Sequence, residues 1–277
     1  MIKRAAVAIL VALVAAQAAW AGVVFTAVTK ADGGKGAEQQ NSTVKGWVDG
    51  DLARIEFVES NAPFMAKGTY LITTDGGKEV FLVNPKEKTY SRFDIEGMMQ
   101  FAGGAMKMMN MKVSDPKVEK LGQAPDGLVA GLPTIHYQFR TTYTMSMSFM
   151  GMKKSTRVVK EEEVWSAPKL VEAALGIWLR KSPPKMGDDS FDNLLRAEMD
   201  KIEGFPLKRK IVQTSTDEKG KSEVMTILTE VTSLEMSSVS ASLFEIPADY
   251  KETSLMPFGE GGEGGENPFL KMMGGKK

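Results

Sequence analysis

Residues 134–149 carry the longest alternating pattern in the chain. Tyr143, Met145, Met147 and Phe149 are large and apolar, while Thr144, Ser146 and Ser148 between them are small and hydroxylic. Tyr137 and Phe139 continue the odd-numbered face upstream. A period of two over this length fits an extended strand rather than a helix. A long strand that is apolar on one side commits the chain to a sheet with a face to bury. Gly151 marks a turn, and 155–165 returns with Val158, Val159 and Val164. Its middle, Lys160-Glu161-Glu162-Glu163, predicts a solvated stretch or a sheet edge.

Other strand signals surround this one. A first strand is expected at 23–29. Strands at 42–48 and 52–57 flank Asp49-Gly50-Asp51, a hairpin signal. Leu52, Arg54 and Glu56 alternate with the more apolar Ala53, Ile55 and Phe57, which predicts one wet face. Segments 69–73 and 79–83 are joined by Thr74-Asp75-Gly76-Gly77-Lys78, and 89–93 follows a turn at Asn84-Pro85. The stretch after Met111 is mixed and weakly patterned, punctuated by Asp115-Pro116 and Pro125-Asp126-Gly127. Three further strands are expected at 207–213, 222–233 and 237–244. Pro247-Ala248-Asp249-Tyr250 ends the folded region.

Three segments show the helical period instead. Over 95–110, Ile95, Met98, Met99, Phe101, Ala102, Ala105, Met106, Met108 and Met109 fall on one half of a helix. Over 168–181, Leu170, Val171, Ala174, Ile177 and Trp178 recur at helical spacing, with Ser166 as N-cap and Ser182-Pro183-Pro184 as the stop. Over 190–202 the stripe is Phe191, Leu194, Leu195, Met199 and Ile202, capped by Asp189 or Ser190 and closed by Gly204 and Pro206. The fold expected is mainly antiparallel β with inserted helices, as a curved half-barrel sheet closed by the helices. A two-sheet sandwich with peripheral helices is the alternative.

The N-terminus has the form of an export signal: Lys3 and Arg4, an apolar run over 5–16, then Ala19-Trp20-Ala21. Cleavage after Ala21 would leave Gly22 first and deliver the chain to the periplasm. Residues 22–255 then form a single β-rich domain. Residues 256–277 form a flexible Gly/Glu-rich tail with the apolar island Phe269-Leu270-Lys271-Met272-Met273. There is no cysteine, which excludes disulfides, thiolate metal sites and thiol catalysis. Formal net charge is zero, with no basic excess of the kind nucleic acid demands. A monomer is expected.

Chemistry-bearing motifs are scarce. There is one histidine, His136, and no nucleophile–base arrangement, phosphate loop or zinc spacing, so no enzyme and no cofactor are expected. Ten methionines, however, lie in two short segments, 98–111 and 145–152. Methionine is unbranched and adaptable, and it lines cavities of irregular shape as well as it fills ordinary cores. Thioether sulfur also suits Cu(I). Met98, Met99, Met106, Met108, Met109 and Met111 are the candidates for that reading, with Met98, Met106 and Met109 on one side of the helix, although no histidine or cysteine lies nearby.

Several short motifs, taken in order, point to a family. They are Trp47-Val48-Asp49-Gly50-Asp51-Leu52-Ala53-Arg54-Ile55-Glu56, Phe81-Leu82-Val83-Asn84-Pro85 with Lys88-Thr89-Tyr90, Val164-Trp165-Ser166-Ala167-Pro168, Gly204-Phe205-Pro206-Leu207, and Phe244-Glu245-Ile246-Pro247-Ala248-Asp249-Tyr250. The set resembles the DUF4412 family of exported bacterial proteins. That family is similar in turn to the periplasmic lipoprotein carriers LolA and LolB. The resemblance implies a curved sheet whose mouth is closed by helices at 95–110 and 170–202. It also implies wall residues at Tyr143, Met145, Met147 and Phe149, and a ligand-responsive arginine for which Arg54 is the nearest match. The function expected is that of a periplasmic binding or carrier protein for a lipid, a lipoprotein acyl chain or another long apolar ligand, with a membrane-associated receptor as a possible partner. Phe101, Met106, Tyr143, Met145, Met147 and Phe149 would contact ligand, and Met98 and Met109 would seat the lid. An envelope structural or protein-interaction module with a filled core is the alternative, and a methionine-based Cu(I) binder is the other.

Overall fold

The computed structural model describes residues 22–62, 65–92, 109–149, 152–170 and 187–254, with Gly97, Gly103, Gly104, Met106, Lys107 and Lys185 from the segments between. The expected signal at 1–21 and the tail at 256–277 lie outside the described residues.

Among the described residues, twelve strands form one open sheet, in the order β12-β6-β5-β4-β3-β2-β1-β11-β10-β9-β8-β7. Two meanders build it. The first runs outward from β1 (Gly22–Asp32) through β2 (Ser42–Asp49), β3 (Leu52–Ser60), β4 (Tyr70–Thr73) and β5 (Phe81–Asn84) to β6 (Thr89–Arg92). The chain then crosses to the far edge. The second meander runs inward from β7 (Lys112–Val129) through β8 (Leu132–Phe149), β9 (Met152–Ala167) and β10 (Phe205–Asp217) to β11 (Ser222–Ser237). β11 pairs with β1 and joins the two. Every pairing is antiparallel except that of β12 (Lys251–Glu252) with β6. The mainly antiparallel expectation is met by a sheet that does not close on itself.

Residues opposite one another across a ladder share a face. One row crosses the first meander through Phe25, Gly46, Ile55 and Leu71. The Phe25 ring lies across Gly46, where a Cβ would fall 2.2 Å from the ring's Cζ. The same ring meets Phe205 edge-on at 5.1 Å. Val23, Ala27, Val48, Ala53, Phe57, Leu207 and Val231 complete this core.

The other face of the first meander is not wet. Leu52, Trp47, Tyr70, Ile72 and Val83 are covered by Phe244, Ile246 and Tyr250. The strand expected at 237–244 is therefore replaced by a 3-10 turn, Ala241–Phe244, that lays Phe244 into this second core. Val239, Phe244 and Ile246 pack as a cover, and a cover from distant sequence leaves no mark on the alternation of β3.

Two further corrections concern the second meander. The weakly patterned stretch after Met111 is an 18-residue edge strand, β7. Its register shifts three times, between Ser114 and Lys117, Lys120 and Gly122, and Asp126 and Leu128. Each shift resets which residues face the core, so no period of two survives in the sequence. The charge run 160–163 is neither an edge nor wholly solvated, because β9 lies between β8 and β10 and Glu162 is buried.

Among the described residues one α-helix stands out, α1 (Asp189–Asp200). Its cap is Asp188 rather than Asp189 or Ser190, with the carboxylate accepting from the N–H groups of Ser190 at 3.1 Å and Phe191 at 3.2 Å. Of the helix expected at 168–181, residues Pro168–Leu170 form a 3-10 turn and the remainder lies outside the described residues. Most of the segment 95–110 does too, but its end is visible. Met111 N–H bonds the Met106 carbonyl at 2.7 Å, Asn110 N–H bonds that of Lys107 at 3.0 Å, and Asn110 has φ 47°. Paired bonds of this kind around a left-handed residue terminate a helix.

Candidate functional site

The odd-numbered face of β8 is the strip on which the candidate site is built. Its cross-strand partners on β9 set the rows: Tyr137 with Val164, Phe139 with Glu162, Thr141 with Lys160, Tyr143 with Val158, Met145 with Thr156 and Met147 with Lys154. The strip changes character along its length. At the near end Tyr137, Phe139 and Val164 are buried, the two rings stack at 6.0 Å, and Ile135 and Ile202 pack on them. At the far end Tyr143, Met145 and Met147 are only half-buried.

A buried ion cluster separates the two ends. The Glu162 side chain is 1% exposed, and it accepts from Arg209 Nε at 2.5 Å and from Lys201 Nζ. Glu198 of α1 accepts from Thr141 Oγ1 at 2.7 Å, from Lys201 Nζ at 2.6 Å and from Lys160 Nζ. The cluster ties the end of α1 to β8 and β9. Lys201 also lies 5.1 Å from the centre of the Phe139 ring, a favourable place for a cation.

Burial alone would raise both carboxyls, but the surrounding cations outweigh it. Arg209, Lys201 and Lys160 hold Glu162 below its ordinary value. Lys160 and Lys201 bring Glu198 down to about 2. Burial, with the neighbouring Lys201 charge, pushes the Lys160 ammonium down, against the opposing pull of Glu198 and Glu162. Burial, with the Glu198 charge, pushes the Tyr143 phenol up.

The structure brings together Tyr143, Met145, Met147 and the end of the methionine-rich segment. Ser148 N–H bonds the Met109 carbonyl at 3.0 Å, which fixes 106–111 against the far end of β8. Met106 and Met109 are half-buried there. Val113 of β7 pairs with Met145 and is buried beside it. Phe101 and Met98 lie outside the described residues, as does the side chain of Phe149.

Arg54 stands apart, on the opposite face of the first meander. Its guanidinium lies 3.7 Å from the Tyr70 ring centre and 5.5 Å from that of Trp47, and donates to Glu56 at 3.0 Å and to the Leu243 carbonyl at 3.3 Å. It ties the C-terminal cover to the sheet. His136 also faces away from the strip, stacked on Trp165 at 4.3 Å. A separate open groove of about 640 Å³ is lined by Val28, Lys30, Asn41, Glu59, Thr226 and Leu228 among others; it contains none of the expected site residues.

The sequence reading missed the cluster. Its signal was the parity of β9, where Lys160 and Glu162 fall on the same side as Val158 and Val164. Glu161 and Glu163 point the other way, and of the charge run Glu162 alone is buried.

The family model for DUF4412, a domain of unknown function, matches residues 36–250. No curated protein matches the chain. A solved structure described as PNGF-II in a C2 space group is similar at 12% identity and a TM-score of 0.31, covering 85% of this chain. The chain spans 31% of that protein's length.

Proposed function

The chain belongs to the DUF4412 family, whose description names no activity, and from its own geometry we propose that it binds a lipid or another long apolar ligand. The observation that carries this reading is the half-buried row Tyr143, Met145 and Met147, with the capped 106–111 turn bonded across its end. A filled core would bury such side chains completely, as Tyr137 and Phe139 are buried on the same strand. Half-buried, adaptable methionines instead offer area to a chain that lacks directional polar groups. Each methylene moved out of water contributes about 0.8 kcal/mol, so roughly ten give an ample gross driving force before ordering costs.

The fuller form of the proposal is a periplasmic carrier, exported with cleavage after Ala21. In it the sheet is a LolA/LolB-like half-barrel whose mouth is closed by the segments 95–110 and 170–202. Phe101, Met106, Tyr143, Met145, Met147 and Phe149 contact the ligand, Met98 and Met109 seat the lid, and an acylated protein or a membrane receptor exchanges it. No catalysis and no metal enter this reading.

Native mass spectrometry of protein from its own host, followed by organic extraction, tests it. Co-purifying lipid that is lost in the Met145→Trp, Met147→Trp double variant is the expected result. An empty protein that binds no long-chain amphiphile in titration would overturn the proposal.

A further inference from the structure

Among the described residues, the ion cluster beside the strip holds one positive charge in excess. Lys160, Lys201 and Arg209 are three cations, and Glu162 and Glu198 are two carboxylates. Among the described residues, the charges that act on Lys160, Glu162 and Glu198 are one another's and those of Lys201 and Arg209. An uncompensated charge in a buried site is unfavourable, and an anion relieves it.

The surplus has a definite place. Lys201 is 5% exposed and serves both carboxylates. Arg209 is 28% exposed and uses Nε for Glu162. Its two terminal nitrogens make no hydrogen bond among the described residues. Lys160, 16% exposed, lies on the other side of Glu162, and its ammonium is the group whose charge burial disfavours.

We infer that the ligand is a long-chain carboxylate, its head group seated on the terminal nitrogens of Arg209 and its chain laid past Lys160 along the Tyr143–Met147 strip. The inference rests on the apolar-ligand reading above and names the head group. A guanidinium edge with two free N–H directions matches the two oxygens of a planar carboxylate, in bonds roughly twice as strong as neutral ones. Glu162 fills the Nε side, so the remaining edge is a two-point seat for one small anion. One head group of charge minus one would bring the cluster to neutrality.

The tail has a route of suitable length. α1 packs against β7 and runs from near Gly187, where an added Cβ would lie 3.9 Å from Lys107 Nζ, to the cluster at Glu198, so the route lies beside it on the β9 side, toward Arg209 and β10. From the Glu162 row to the Lys154–Met147 row is eight residues along β9, about 26 Å at ~3.3 Å per residue. A long acyl chain laid lengthwise would pass Lys160, outside the buried Thr141, and meet the half-buried Tyr143, Met145 and Met147 in turn. The Tyr143 hydroxyl makes no hydrogen bond among the described residues.

The test compares hexadecanoate with its methyl ester, which keeps the chain and removes the charge. Native mass spectrometry and competition with a fluorescent fatty-acid probe would measure both on the same protein. The expected result is at least about a tenfold preference for the acid, the scale of one charge-assisted pair. Arg209→Gln should erase the preference by weakening acid binding alone, and Arg209→Lys should restore part of it. If Arg209→Gln does not fold by circular dichroism, the acid–ester comparison on the unaltered protein decides. Equal affinity for acid and ester would overturn the carboxylate seat and leave the apolar-ligand reading standing. Tighter binding of phosphatidylglycerol than of hexadecanoate would also overturn it, in favour of a phosphodiester head. Failure of every amphiphile, charged or neutral, would remove the underlying reading as well.

Discussion

The two meanders share one sheet but are held together differently. The first, β1–β6, uses strands of 4 to 11 residues and is packed on both faces, by the Phe25 core on one side and by the Phe244 cover on the other. The second, β7–β11, uses strands of 13 to 18 residues. Much of its surface is half-buried; Phe205, Leu207 and Val231 reach into the Phe25 core, and away from that junction it holds the small Tyr137–Phe139–Val164 core and a charged cluster around the buried Glu162. Short strands need apolar area on both sides to persist. Long strands close many backbone bonds, and their side chains are free to be charged or soft. Stability is not uniform within one fold.

The largest effect should come from the cluster. Glu162→Gln would leave three cations facing one carboxylate in a buried site. Removal of one member of a buried pair costs about 3–5 kcal/mol. Urea denaturation should show that loss. Adding Lys201→Met and Arg209→Met to a Glu162→Leu chain should recover most of it, because an apolar set no longer carries unpaired charge. A negligible cost for Glu162→Gln would mean that the cluster is solvated and that the contrast between the halves is wrong.

Acid should separate the halves next. The folded Glu198 carboxyl lies at about 2, against 4.5 ordinarily. A depressed carboxyl adds stability that is complete above its unfolded value and is lost as pH falls through the folded one. The loss therefore runs from about pH 4.5 down to about 2 and amounts to something on the order of 3 kcal/mol. Glu198→Gln should flatten this limb in a pH series of urea melts. Hydrogen exchange should open α1 and β8–β9 before β2–β5. Uniform opening of both meanders in acid would break the comparison.

Gly46→Ala probes the other half by packing alone. A Cβ there meets the Phe25 ring at 2.2 Å, and displacing a core ring costs about 1–3 kcal/mol. The loss should be independent of pH between 3 and 7, unlike that of Glu198→Gln. Phe25→Leu in the same chain should make Gly46→Ala nearly neutral. A pH-dependent loss at Gly46 would show that the two cores are coupled.

Legibility in the sequence followed the same divide. The hairpin at Gly50 and the alternation of Ala53, Ile55 and Phe57 were readable because short-range turn chemistry and an unbroken period of two dictate them. The opposite face of β3 was misread as wet because its cover comes from Phe244 and Tyr250, far along the chain. β7 was unreadable because three register shifts scramble its parity. Tyr143, Met145 and Met147 were legible as one face. Glu162 and Lys160 were not, because a run of charges ordinarily signals solvent, and their partners Glu198, Lys201 and Arg209 are distant in sequence. Opposite charges that meet only in the folded state leave no local pattern to read.

The smallest effect is expected at the start of α1, and it gives the sharpest test of where the second meander draws its stability. Asp188 accepts from the N–H groups of Ser190 and Phe191, and Asp189 and Asp192 add negative charge to the first turn, where the helix dipole favours it. Asp188→Ala removes the cap and should cost about 1 kcal/mol. If α1 is held to the sheet mainly at its other end, by Glu198 and Lys201, the lost cap should fray only the first turn. Amide exchange would then rise at residues 190–192 and stay unchanged at 198–201. Combined with Glu198→Gln, the two losses should add, because cap and cluster lie at opposite ends of the helix and share no partner. A coupling well above about 0.5 kcal/mol would mean instead that α1 docks or releases as one unit. The ion cluster would then be holding the whole helix against the sheet, rather than its last turn alone.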